Sequence, residues 1–95
     1  MDNNDLSKLK FDTTRQIVTT TRGELLPIKD HRGWKYVNYE GRKIGLSKIS
    51  AIQNDPVFEY VFGYGHRDNP FIAMDYWILR HRLKRKVTPQ EYLNT

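Results

Sequence analysis

The chain has no cysteine among its 95 residues. That absence excludes disulfides, cysteine-built zinc sites and thiol catalysis, and with them the small secreted scaffold held together by bridges. Long apolar runs are missing as well, and nothing approaches the roughly 18 consecutive apolar residues needed to cross a bilayer. The opening Met1-Asp2-Asn3-Asn4-Asp5 is polar and acidic with no apolar stretch behind it. No signal peptide is expected there, and the expected location is the cytoplasm. Catalytic signatures are equally scarce. Ser7, Ser47 and Ser50 lack a nucleophile-elbow context, and the glycines and lysine of Gly41-Arg42-Lys43-Ile44-Gly45-Leu46-Ser47-Lys48 lack P-loop spacing. His31, His66 and His81 include no i, i+4 pair and no acidic partner at ligand spacing, so neither metal nor cofactor is expected. The expectation is a protein that is not an enzyme.

What is present builds a small fold. Apolar residues make up only 38% of the chain, but 13% are aromatic, and each ring can bury about 150–250 Å². The length suits one domain with a modest core. We expect residues 1–10 to form a flexible lead-in and residues 11–95 a single domain, mainly β over 11–49 and mainly α over 50–95.

Net charge is +5, from 16 basic and 11 acidic residues, and its distribution says more than its size. Residues 31–51 hold Arg32, Lys35, Arg42, Lys43 and Lys48 against Glu40 alone. Residues 52–79 are acidic on balance, with Arg67 against Asp55, Glu59, Asp68 and Asp75. Residues 80–86 then read Arg-His-Arg-Leu-Lys-Arg-Lys. Positive charge segregated in this way is the electrostatic footprint of phosphate binding.

The pattern predicts an α+β fold: a small three-stranded antiparallel meander followed by two or three helices. Arg15-Gln16-Ile17-Val18-Thr19-Thr20-Thr21 is rich in β-branched residues and ends at a turn around Gly23. Leu25-Leu26-Pro27-Ile28 suits an edge, and Asp30-His31-Arg32-Gly33 and Glu40-Gly41-Arg42 read as turns around a strand from Trp34 to Tyr39. Ser47 is a candidate N-cap for a short helix, residues 57–62 another helix, and residues 63–70 a loop. The strongest helical period covers residues 71–86, where Ile72, Tyr76, Leu79 and Leu83 form one stripe. Thr88-Pro89-Gln90-Glu91 has the form of a capping box opening a last short helix.

Two constellations could touch a partner. The helix over residues 77–86 offers Arg80, His81, Arg82, Lys84, Arg85 and Lys86, more than compensation of the helix dipole requires. A helix with one apolar and one basic face fits the major groove, where arginine reads guanine and lysine grips phosphate. The hairpin region interleaves Arg32, Lys35, Arg42, Lys43 and Lys48 with Trp34, Tyr36 and Tyr39. There Trp34 and one tyrosine are expected to build the core, with the cations on the flanking phosphates. The expected partner is therefore nucleic acid, duplex DNA before RNA, in a homodimer if one short helix is too small a reader. Two alternatives stay open: a protein partner with an acidic surface, and a single strand or RNA stacked on Trp34, Tyr36 and Tyr39.

Two stretches resemble a phage module. Gly23-Glu24-Leu25-Leu26-Pro27, Gly33-Trp34-Lys35-Tyr36-Val37 and Gly41-Arg42-Lys43-Ile44-Gly45-Leu46-Ser47-Lys48-Ile49 are similar to the nuclease-associated β-meander found beside HNH homing endonucleases. The stretch from Trp77 to Thr95 is similar to the helix-turn-helix tail common in phage HNH-type proteins, with Lys86 in place of a glycine and Tyr92 in place of an alanine. His66-Arg67-Asp68-Asn69, with His81 beyond, has the His-Asn-His order, but Lys84 and Arg85 occupy the region where a further metal ligand would be needed. The resemblance thus implies a phage-type DNA-binding regulator with a helix-turn-helix-like C-terminal part and no cutting centre.

Overall fold

Leu9-Lys10-Phe11-Asp12 alternates apolar and polar side chains, and alternation with period two sends every second residue to the same face of a strand. The computed structural model, which describes residues 6–63 and 71–94, pairs this segment as strand β1 (Leu9–Asp12) with β2 (Ile17–Thr20). Leu6 and Leu9 are buried in the core and Phe11 is almost fully so. Residues 6–10 of the expected lead-in are therefore tied down by the burial of their two leucines. Residues 1–5 lie outside the described residues.

The architecture is α+β, but its β part is larger than one three-stranded meander. β3 (Leu25–Leu26) completes a first antiparallel sheet in the order β1-β2-β3. A second sheet follows in the order β4-β5-β6, from Lys29–His31, Trp34–Tyr39 and Arg42–Gly45. Pro27, which has no N–H to give to a ladder, stands between β3 and β4 where the chain leaves one sheet for the other. The two hairpins of the second sheet have two-residue loops, joining the paired His31 and Trp34 and the paired Tyr39 and Arg42. Both loop residues take positive φ in each case: Arg32 (54°) with Gly33 (86°), and Glu40 (51°) with Gly41 (75°). This is the geometry whose twist matches that of the flanking strands.

Helix α1 (Leu46–Ile52) starts directly from β6, with Gly45 at its N-cap position rather than Ser47. Ser47 lies one residue inside, and its hydroxyl instead meets Tyr92 at 3.1 Å. The helix expected over 57–62 is a π-helical turn, Glu59–Gly63. Helix α2 (Met74–Leu83) is shorter than the period suggested, and α3 (Pro89–Leu93) begins with the expected capping box, Thr88 and Glu91 bonding reciprocally. Residues 64–70, most of the expected loop, lie outside the described residues.

The core sits between the sheets and the helices. Val18, Val37, Ile44, Leu46 and Ile49 meet a ring cluster in which Phe11 and Phe62 stand 6.2 Å apart and Phe58 and Tyr76 5.4 Å apart. Gly63 lets Tyr76 in, since a Cβ there would come within 2.3 Å of the ring. The Tyr76 hydroxyl donates to the Val87 carbonyl at 3.1 Å, and its burial raises its pKa. Among the described residues no helix is long and apolar enough to cross a membrane.

Candidate nucleic-acid interface

The basic segment 80–86 is divided by where its helix stops. Lys84 takes a left-handed conformation (φ 55°, ψ 35°) and its N–H returns to the Arg80 carbonyl at 2.8 Å. Arg85 and Lys86 therefore follow the helix instead of lying on it, and Val87 turns into the core. Arg80 is half-buried and reaches across to the π-helical turn, 3.1 Å from Glu59. Arg85 forks onto Glu91, with one bond at 2.9 Å and a shorter second one. That pair holds the Glu91 carboxyl down to about 2. Lys86 lies 3.9 Å from Glu59. His81, Arg82 and Lys84 stay exposed.

The expected apolar stripe is also only partly an inner face. Tyr76 and Leu79 are buried, but Leu83 is exposed. Met74 (67% exposed) and Ile78 (64%) occupy solvent positions on successive turns. Helix α2 thus presents a mixed surface rather than a continuous basic one.

The second sheet holds the more organised surface. Its strand register puts Lys29 opposite Tyr36, His31 opposite Trp34, Lys43 opposite Asn38 and Gly45 opposite Tyr36. Val37 and Ile44 fill the core from one face, so Lys29, His31, Trp34, Tyr36, Asn38 and Lys43 share the other. There Trp34 and Tyr36 stack with centroids 4.9 Å apart and planes 20° from parallel. The Lys43 ammonium sits 5.4 Å from the Tyr36 ring centre.

Tyr36 is only 9% exposed, yet it stands outside the core cluster, covered by its neighbours on this outer face. Trp34 is 43% exposed. The expectation that Trp34 joins the core is therefore corrected. Tyr39 packs against the core in its place, because odd positions of β5 face inward and even ones outward.

Gly45 shapes this face. A Cβ on it would meet Trp34 Nε1 at 3.0 Å, so the indole lies against β6 only because no side chain is there. Lys35 points to the opposite side of β5 and is paired with Asp30, whose carboxyl the lysine holds below its ordinary range. Arg32, Arg42 and Lys48 are exposed.

Beside the platform a cleft of about 340 Å³ opens between the second sheet and the start of α2. Trp34, Gly45 and Lys48 line it from one side, Ile72 and Met74 from the other, with Asp75 and Tyr92 between. Tyr92 donates its hydroxyl hydrogen to Asp75 at 2.8 Å. With that hydrogen committed, Ser47 must be the donor in its own contact with Tyr92. Burial above all drives the Tyr92 pKa up, so the hydroxyl stays protonated.

Of the residues singled out from the sequence, the structure brings Lys35 and Lys48 to the cleft and sets Lys43 on the platform, with Arg32 in the adjoining turn and Arg42 at the start of β6. Arg82 lies two turns along α2 from Met74 at the cleft, roughly 12 Å by helical rise. The sequence reading passed over Lys29 and His31, although the two-residue hairpin loop places them opposite Tyr36 and Trp34. It also passed over Asp75, whose partner Tyr92 is 17 residues away. Among the described residues no three potential ligands come together as a metal site. Comparison with protein-family models, with curated proteins and with solved structures finds no match for this chain.

Proposed function

We propose that this protein is a nucleic-acid-binding module whose principal contact surface is the outer face of β4, β5 and β6, and that it takes an unpaired strand there. The observation that carries the reading is the stacked Trp34 and Tyr36 pair, held outside the core among Lys29, His31 and Lys43. Aromatic rings bound bases through their faces, which a duplex hides inside its own stack, whereas cations follow the phosphates of either form. Across residues 29–48 six lysines and arginines face only Asp30 and Glu40. The chemistry is binding without a bond made or broken.

Duplex DNA is the second reading. The exposed His81, Arg82 and Lys84 at the end of α2 favour it, and so does the resemblance to phage DNA-binding modules. On this reading Arg82 and Lys84 touch the duplex, while Arg80 and Arg85 brace the fold.

The test is fluorescence anisotropy of a labelled mixed-sequence single strand and of its duplex, at about 50 and about 200 mM salt. The single strand should bind tighter. Trp34→Ala should weaken it by about 5- to 150-fold, the equivalent of ~1–3 kcal/mol for one stacked base. Tighter duplex binding that Arg82→Ala weakens and Trp34→Ala leaves unchanged would replace this reading with the second one.

A further inference from the structure

We propose that the cleft between Trp34 and the start of α2 seats one base of the bound strand and selects a base that donates hydrogen bonds, guanine first. This rests on the reading of the platform as a single-strand surface. The cleft and the platform share Trp34, so a base leaving the stack meets the cleft without a break in the surface. Its volume of about 340 Å³ lies at the low end of the ~300–1,000 Å³ typical of small-molecule sites, room for a single nucleotide. The apolar lining, Trp34 from the sheet and Ile72 and Met74 from the start of α2 and the residues before it, suits the apolar faces of a base. Lys48, exposed on the rim, supplies a positive charge for the attached phosphate.

Selection follows from how the hydrogens are spent at the polar end. The Tyr92 hydrogen goes to Asp75 Oδ2, and the Ser47 hydrogen goes to Tyr92. Asp75 Oδ1 accepts the Tyr76 N–H at 2.9 Å. Each carboxylate oxygen keeps further lone-pair capacity, so the side chains of Asp75, Tyr92 and Ser47 can accept hydrogen bonds here and have no hydrogen left to donate. Guanine presents N1–H beside its exocyclic amine, two adjacent donors for one carboxylate. Cytosine and adenine present one amine each. Thymine and uracil present a single N–H flanked by carbonyl oxygens, which a carboxylate repels. The expected order is guanine, then cytosine and adenine, then thymine.

Four labelled octanucleotides settle this: all thymine, and the same strand with one central guanine, cytosine or adenine. The guanine strand should bind wild-type protein about tenfold tighter than the all-thymine strand, within the range of a bidentate base contact. Asp75→Asn, which offers an amide donor where the carboxylate stood, should remove or reverse that preference. Equal wild-type affinity for all four strands would overturn the cleft assignment and leave the platform standing. Failure of every strand to bind would instead overturn the platform reading itself. The wild-type ranking decides the matter even where the Asp75→Asn protein does not fold.

Discussion

Each of the two sheets has three antiparallel strands in sequential order, and the two present different side chains to the outside. The outer face of the first carries Lys10, Asp12, Ile17, Thr19 and Leu25, with no ring among them. Its β1 edge is closed by Gln53, whose side-chain amide accepts from the Phe11 N–H at 3.1 Å and donates to the Phe11 carbonyl at 2.7 Å, as a neighbouring strand would. The first sheet thus spends its aromatic residue, Phe11, on the core. In the second sheet Val37, Tyr39 and Ile44 pack in the core cluster, while Trp34 stays 43% exposed on the outer face, stacked on a Tyr36 that its neighbours cover. Exposing a large ring forgoes burial worth about 1.5–3 kcal/mol or more.

The largest expected effect separates the two kinds of ring. Phe11→Ala should cost ~3–5 kcal/mol, as for other buried phenylalanines. Trp34→Ala should cost only about 1 kcal/mol, the scale of one aromatic stack. Chemical denaturation of both variants measures the difference. Equal losses would make the outer face a second core and end the comparison.

The next effect distinguishes arginines that the sequence leaves indistinguishable. Arg80→Ala removes the nearer of the two cations beside the half-buried Glu59 carboxylate and should cost ~1–3 kcal/mol. Arg82→Ala, on the exposed side of α2, should stay within ~0.5 kcal/mol. Thermal melts decide, and a silent Arg80→Ala would return that side chain to the set available for binding.

The smallest effect is an acid one. Arg85 holds Glu91 at about 2, below its ordinary 4.5. A depressed carboxylate stabilises the fold above its unfolded value and loses that contribution as pH falls toward its folded value. Glu91→Gln should therefore lower the melting temperature slightly near neutrality and not at all below about pH 2. The pair is exposed, so salt should shrink the effect. A variant whose deficit grows on acidification would contradict the pairing.

Much of the fold was legible because its signals are local. Gly33 and Gly41 announce positive φ, and the capping box at Thr88 needs only four consecutive residues to be recognised. The α+β class followed from the same patterns. β1 was passed over because its two apolar residues, Leu9 and Phe11, sit among lysines and an aspartate, and four residues give a weak period. The Ser47 cap failed for a non-local reason, since its hydroxyl is claimed by Tyr92, 45 residues away.

The ion pairs of the basic segment were hidden for the same reason. Arg80 pairs with Glu59, 21 residues away, and Arg85 with Glu91 across a helix break at Lys84, so neither pairing has the i, i+4 spacing that a sequence displays. The pairing of Asp30 with Lys35 was within reach, because a two-residue loop at Arg32 and Gly33 sets those two positions opposite each other. The platform itself was half legible. Alternation put Trp34 and Tyr36 on one face, but only the burial of Val37 and Ile44 tells which face looks outward.

The measurement that bears most directly on the platform is intrinsic fluorescence of Trp77→Phe, which leaves Trp34 as the one indole of the chain. Titration with an unlabelled single-stranded oligonucleotide should quench that emission in step with binding, because a base stacks on the ring. Binding seen by anisotropy while the Trp34 emission stays unchanged would contradict the account and place the strand elsewhere on the molecule.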